Sequence, residues 1–446
     1  MNYGAMRHSI LALLSATAVA IHVPMLPAAN WPQWRGPAFD GSSPESDVPA
    51  AFSKTEHVKW AADLPGPAAA TPVVWGDHVF VSSTDRQARS ILAMALDRKT
   101  GKLLWKHEVA PAFGQDDRSN YASPSPATDG QRVVFFYGTG DLVAFDFAGQ
   151  KLWSRNLQKD YGPFAFLWTF SSSPLLHDGR LYMQVLQRDV PVNGRGRSDG
   201  PNESYLLALD PKSGKELWKH IRPSEARQES LEAFSTPVPA QLAGRQEILI
   251  AGGDCISGHD PVTGKELWRW GTWNPTRITH WRLVPSPVAG GNVALACGPK
   301  GAPVFAVKGG QNGAFTNDSA LAWTTREHRD VSADVSTPLF YKGWFYVLNS
   351  DKRNLSRIDP ATGRIHWTGA IDSRAKIEAS PTAAGDKIYV MNHRGDVFVM
   401  AAGDEFKVLH TAAMGDEGDK DLRSSIAISQ GQLFIRTGTR LYCIGK

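Results

Sequence analysis

The sequence predicts an all-β chain folded as an eight-bladed β-propeller of four-stranded blades. Three observations carry that reading. The stretch Asp97-Arg98-Lys99-Thr100-Gly101, running on to Trp105, recurs as Asp210 to Trp218, Asp260 to Trp268 and Asp359 to Trp367, and one residue shorter as Asp146 to Trp153. Each unit opens on Ser or Thr followed by Pro, at Thr71, Ser125, Ser173, Thr236, Ser286, Thr337 and Ser380. The two ends of the pattern are complementary: an isolated strand around Trp60 has no unit, and the last unit, from Ser424-Ser425 to Lys446, lacks its fourth strand. Joining them closes a ring and removes the free edges that a linear array would expose.

Taken in order, residues 1–29 read as an export signal. Arg7 and His8 precede the apolar run Ile10 to Ile21, and Ala18-Val19-Ala20 or Pro27-Ala28-Ala29 offers the cleavage site. With no Cys nearby, lipid anchoring is not expected, and no segment of the mature chain is expected to span a membrane. Residues 30–57, beginning with the Trp/Pro-rich Trp31 to Pro37, form an extension that packs on the propeller. Residues 58–446 are the propeller itself.

Within each unit the Asp-to-Gly stretch is a tight turn. A strand ends at the Asp, the Gly takes positive φ, and the next strand runs to the Trp. Trp60, Trp105, Trp153, Trp218, Trp268, Trp323 and Trp367 are therefore expected to be docking residues between blades. The fifth unit has lost the turn and carries Gly309-Gly310-Gln311-Asn312-Gly313 instead, a longer excursion. The seventh has no Trp.

Charged residues make up 21% of the chain and the net charge is only +4, with no long basic run, so nucleic acid is not an expected partner. Cys255, Cys297 and Cys443 are far apart and sit in apolar or Gly-rich strand patterns, which predicts buried, unpaired thiols.

The repeated Asp-x-x-Thr-Gly-x-x-x-Trp units resemble the pyrroloquinoline-quinone (PQQ)-type propeller family, and the resemblance covers nearly all of residues 58–446. That family holds both quinone-dependent dehydrogenases and non-catalytic scaffolds. In size and blade count the chain also resembles the propeller lipoprotein of the outer-membrane assembly machine.

Strand alternation gives the ring two faces. The Thr-Gly turns share one, short and uniform. The blade-to-blade connections share the other with the loops between second and third strands, including the long insertion from Arg188 to Glu203. Candidate ligand residues on that loop face are Trp168, Arg197, His280, Trp281, Arg282, Asp334, Glu378, His393, Arg394 and Arg423. Aromatic rings, cations and carboxylates around one axial opening are what a polar ligand site requires. The same residues also fit bland roles: His280 and Arg282 as a loop-pinning pair, Arg197 as a solvated loop side chain, and Asp334, Glu378 and Arg423 as an ion-pair network between blades.

From these residues the expected function is an exported, non-catalytic binding module, docking a protein, peptide or glycan at the loop face, with no cofactor and no enzymatic role. The resemblance implies an alternative: an alcohol or sugar dehydrogenase with PQQ and Ca²⁺ in the axial channel and an Asp as base. Against it stands the lack of the adjacent Cys pair that the family's dehydrogenases place over the quinone. A second alternative is a cofactor-free propeller enzyme acting on polysaccharide.

Overall fold

The computed structural model describes Met1, residues 29–271 and residues 273–446. The export signal expected at residues 1–29 therefore lies, apart from its two end residues, outside the described residues. Among those described, no helix is long and apolar enough to cross a membrane.

Eight antiparallel sheets form the ring. Blade 1 contains Val73–Trp75, His78–Asp85, Ser90–Asp97 and Leu103–Ala110. Six more blades follow in chain order, and Ala427–Ser429, Gln432–Arg436 and Arg440–Ile444 begin the eighth. Its outer strand is Val58–Asp63, which pairs antiparallel with Arg440–Ile444 and closes the ring. The middle strands of each blade are apolar on both faces and almost wholly buried, as in Ser90–Asp97, because they are packed between neighbouring blades.

The Thr-Gly turn has a packing reason beyond its backbone. Gly101, Gly149, Gly214, Gly264 and Gly363 all have positive φ, between 70° and 88°. A Cβ on any of them would also lie within 2.4–2.7 Å of a Trp ring from the preceding blade. The indole N–H of Trp60, Trp105, Trp153 and Trp323 then donates to a carbonyl of the next blade's turn, at 2.7–3.0 Å. Trp268 differs. Its N–H donates to Glu247 within its own blade at 2.5 Å, since blade 5 has no such turn to receive it. The excursion of blade 5 is used instead as a fifth strand: Gly313–Phe315 lies parallel to the outer strand Glu266–Trp270 of blade 4.

The Ser/Thr-Pro openings form a second belt, nearer the axis. The backbone N–H of Thr71 donates to the Ser125 hydroxyl, Ser125 to Ser173, Ser173 to Thr236, Thr236 to Ser286, Ser286 to Thr337 and Thr337 to Ser380, at 2.8–3.0 Å. Ser425 N–H returns to the Thr71 hydroxyl at 3.3 Å. Seven of the eight blades thus satisfy a buried donor of a neighbour. Thr236→Val keeps the shape but orphans the Ser173 N–H. The expected loss is roughly 1–3 kcal/mol of unfolding free energy, read from denaturant titration. A change within a few tenths would mean that water replaces the hydroxyl.

Residues 29–57 cross the turn face. Trp31, fully buried, exchanges two backbone hydrogen bonds with Val74 in blade 1. The Pro32 carbonyl accepts from Thr128 in blade 2. The buried Arg35 guanidinium donates to the carbonyls of Pro381 and Pro338, at 3.0 and 2.9 Å, where the inner strands of blades 7 and 6 begin. Burial lowers Arg35 from its ordinary value to about 10. This strap covers the axial channel from the turn side, and its Trp34 reaches the channel lining.

Candidate active site in the axial funnel

On the loop face the channel opens as a funnel of about 260 Å³. Its throat exposes members of the hydroxyl belt, Ser125, Ser173, Thr236, Ser380 and Ser425. Its wall carries five cationic side chains, Arg118, Arg282, Lys300, Lys376 and Arg423, against two carboxylates, Asp334 and Glu378. Trp168 and Trp34 supply the aromatic surface. The blade-to-blade connections, the strap and one loop within blade 5 deliver these groups to one point although Trp34 and Arg423 lie 389 positions apart in the chain.

The connections brace one another through buried carboxylates. Glu229 Oε1 accepts from the indole of Trp168 and from Arg282, both at 3.1 Å. The guanidinium groups of Arg118 and Arg282 lie 5.5 and 5.9 Å from the Trp168 ring centre, within cation–π range. Asp116 accepts from the Thr169 N–H at 2.6 Å and from the backbone of Arg118 and Ser119, which ties the first connection to the second. Glu232, fully shielded, accepts from the Leu167 N–H at 3.1 Å and pairs with Arg188.

Burial pushes the Glu232 carboxyl up to about 7 despite Arg188. Its folded value lies above its unfolded one, so its contribution to stability is complete below about pH 4.5 and is lost as pH rises through about 7. The melting temperature of the wild type is expected to fall over that window relative to Glu232→Gln. Parallel melting profiles for the two proteins would refute this.

Glu378 behaves in the opposite way. Burial alone would raise its carboxyl, but the hydrogen bond from His393 and the charge of Arg423 outweigh it and bring it down to about 2. Its Oε2 faces His393 Nε2 at 2.9 Å and Arg423 Nε at 2.7 Å. It is an anion engaged on both sides. Asp334 is less committed. Its Oδ1 accepts from the Lys300 N–H at 2.7 Å, and its Oδ2 has no hydrogen-bond partner among the described residues.

Of the ten loop-face candidates, the funnel brings together Trp168, Arg282, Asp334, Glu378 and Arg423. His393 stands behind Glu378. Arg394 and His280 are exposed outside the funnel lining. Arg197 is exposed and pairs with Asp199 on the insertion. Trp281 packs against the apolar core shared by blades 4 and 5. Lining residues not singled out from sequence are Arg118, Lys300 and Trp34, and the braces Asp116, Glu229 and Glu232 are likewise new.

A quinone carrying several carboxylates fits this donor set: an excess of cations, flat indole surface and a hydroxyl throat. A calcium ion is not matched. Glu378 already holds two donors, and no three His, Cys, Asp or Glu side chains converge among the described residues. The three Cys are buried and apart.

The model of the family described as outer membrane protein assembly factor BamB matches residues 45–190, 95–321 and 253–445. A polyvinylalcohol dehydrogenase from Pseudomonas sp is 30% identical over 187 residues, 40% of this chain and 26% of that protein. Another, from Sphingopyxis sp. (strain 113P3), is 28% identical over 240 residues, 51% of this chain and 33% of that protein. The matches thus span about a quarter to a third of the length of these curated relatives. Among solved structures, a quinohemoprotein alcohol dehydrogenase from Comamonas testosteroni superposes with TM-score 0.63 at 15% identity, over 94% of this chain and 81% of that one. A europium-containing methanol dehydrogenase gives 0.65 at 11%, over 92% and 90%. BamB from Moraxella catarrhalis gives 0.51 at 13%, over 80% and 94%. At these identities the structural likeness concerns the fold.

The named relatives overturn the expectation of a non-catalytic module without a cofactor, since both are dehydrogenases. The physical reason is that the charge of the funnel is carried by residues dispersed in sequence and gathered only by the ring, whereas the missing Cys pair is visible in the sequence itself.

Proposed function

We propose, since the chain belongs to the propeller family described as outer membrane protein assembly factor BamB and its named relatives are dehydrogenases, that it is a quinone-dependent alcohol dehydrogenase with its site in the axial funnel. The observation that carries this reading is the cationic, indole-lined funnel with a carboxylate, Asp334, that is engaged through one oxygen only among the described residues.

Bound there, PQQ would supply the two-electron acceptor for alcohol oxidation. Arg118, Arg282, Lys300 and Arg423 would hold its carboxylates. Trp168, fixed by Glu229, and Trp34, delivered by the strap, would offer flat apolar faces to its ring system. Glu378 is too weak a base at about 2, and its role is to orient Arg423. Asp334 accepts the alcohol proton at Oδ2 while the Lys300 N–H holds Oδ1.

The sequence of residues 1–29 supports export from the cytoplasm. The direct test of the binding reading is a thermal melt with and without PQQ, repeated with Ca²⁺. Quinone at a hundred times its dissociation constant is expected to add roughly 2.7 kcal/mol of stability. No shift at saturating concentration would reject it.

A further inference from the structure

The strap carries a buried positive charge with no carboxylate against it. Arg35 enters the channel from the turn side and is only 3% exposed. Two of its three side-chain nitrogens are satisfied by backbone. Nη1 donates to the Pro381 carbonyl, and Nη2 to the carbonyls of Pro338 and Asp40, at 2.9–3.0 Å. Nε is buried and has no hydrogen-bond partner among the described residues. Asp40 is the carboxylate whose charge acts on Arg35, but the two form no salt bridge. The Asp40 Oδ1 is turned instead to the N–H and hydroxyl of Ser42, at 2.8 and 2.7 Å. Burial outweighs the attraction of Asp40, which is why Arg35 lies below its ordinary value, at about 10.

Arg35 also lines a small hollow of about 10 Å³ between the strap and the Ser/Thr-Pro openings of blades 3 and 4. That is room for a single particle the size of a water molecule. Thr236 and Trp34 line both this hollow and the throat of the funnel, so the two spaces adjoin.

The polar side chains around the hollow are Arg35, Thr236 and Gln33, and no carboxylate is among its lining. All three bring donors. Arg35 has nothing else to offer. Thr236 Oγ1 already accepts from the Ser173 N–H at 3.0 Å, and its own proton meets no acceptor among the described residues. Gln33, 6% exposed, adds an amide, and Leu175 and Val238 contribute apolar wall. A water molecule here would accept from Nε but leave the guanidinium charge uncompensated in a site shielded from solvent. A monatomic anion accepts from all three donors and cancels that charge. Oxyanions such as sulfate, phosphate and carboxylates are too large for the hollow, which separates its chemistry from that of the funnel.

We propose that this hollow is a halide site, in which one chloride ion takes the Nε–H of Arg35, the hydroxyl proton of Thr236 and the Gln33 amide. The ion ties the strap, and with it Trp34, to blades 3 and 4, as the carbonyl contacts of Arg35 tie it to blades 6 and 7. The site does not depend on the dehydrogenase reading.

The test is a thermal melt of the full chain, without quinone, titrated with sodium chloride or bromide against sodium gluconate at constant ionic strength. The melting temperature is expected to rise and saturate as halide replaces gluconate, the behaviour of a ligand that binds the folded state alone. Crystals grown in bromide are expected to show an anomalous peak in the hollow beside Arg35 and Thr236. Thr236→Val removes one hydrogen bond to a charged partner and is expected to weaken halide affinity roughly tenfold. Arg35→Met removes the charge and is expected to abolish the halide dependence altogether. Should Arg35→Met fail to fold, Thr236→Val keeps the test decisive, because it leaves Arg35 anchored to Pro338 and Pro381. Equal melting in halide and gluconate would overturn the proposal. So would bromide found only in the funnel, or a halide affinity that Thr236→Val leaves unchanged.

Discussion

Replacing Asp334 with Asn is expected to lower kcat for alcohol oxidation by roughly 10²–10⁴-fold, with little change in quinone affinity. The substitution is nearly isosteric. Asn Oδ1 still accepts from the Lys300 N–H, so the loop keeps its geometry. What disappears is the basic oxygen at Oδ2. The comparison that gives this its force is Glu378→Gln. Glu378 holds Arg423 and His393, so its loss is expected to weaken quinone binding and lower stability more than it slows the chemical step. Rates measured at saturating quinone separate the two. If Asp334→Asn retains kcat within tenfold while Glu378→Gln abolishes it, the proton acceptor has been misassigned.

Reversing the charge of Arg118 is expected to weaken PQQ binding ten- to a hundredfold. Arg118 lines the funnel, lies over Trp168 and forms no salt bridge among the described residues, so its charge is available to an anion. At about 6 Å and an effective dielectric near 20, one unit charge contributes about 3 kcal/mol before screening. Solvent at the mouth lowers that figure, and the expected range allows for it. Arg118→Glu should also make affinity less sensitive to salt, because one of the screened attractions is gone. An unchanged titration would place the ligand's carboxylates elsewhere. Since Arg118 supports no buried partner, the melting temperature of the free protein should hardly move.

The fold was legible because it repeats. The Asp-to-Gly turn, the Trp eight residues beyond the Asp and the Ser/Thr-Pro opening recur often enough to count blades, and the unmatched Trp60 strand showed how the ring closes. The reason for Ser or Thr before the Pro was not legible. Only the ring brings Ser173 N–H to Thr236 and Thr236 N–H to Ser286. The role of the blade 5 excursion was hidden for the same reason, since its strand Gly313–Phe315 pairs with blade 4 and not with its own blade.

The candidate site was half legible. Trp168, Arg282, Asp334, Glu378 and Arg423 stand out as charged or aromatic residues on blade-to-blade connections, and those connections converge in any propeller. Arg118 lies on such a connection too, between Asp117 and Ser119, but a lone Arg in a polar loop carries no sequence signal. Lys300 sits in an ordinary turn between second and third strands. Trp34 belongs to the strap, and its entry into the channel depends on how Arg35 anchors to Pro338 and Pro381, more than 300 positions away. Trp281 illustrates the converse. On sequence it resembles Trp168, yet its connection turns it toward the core of blades 4 and 5.

The dye-linked oxidation of linear alcohols by the full chain, with PQQ added at saturation and omitted in parallel, tests the central claim most directly. The expected result is dye reduction that requires both the quinone and the alcohol and that falls by at least a hundredfold in Asp334→Asn. Quinone and alcohol at saturation without dye reduction, in protein whose melt shows it folded, would contradict the assignment of this propeller as a quinone-dependent dehydrogenase.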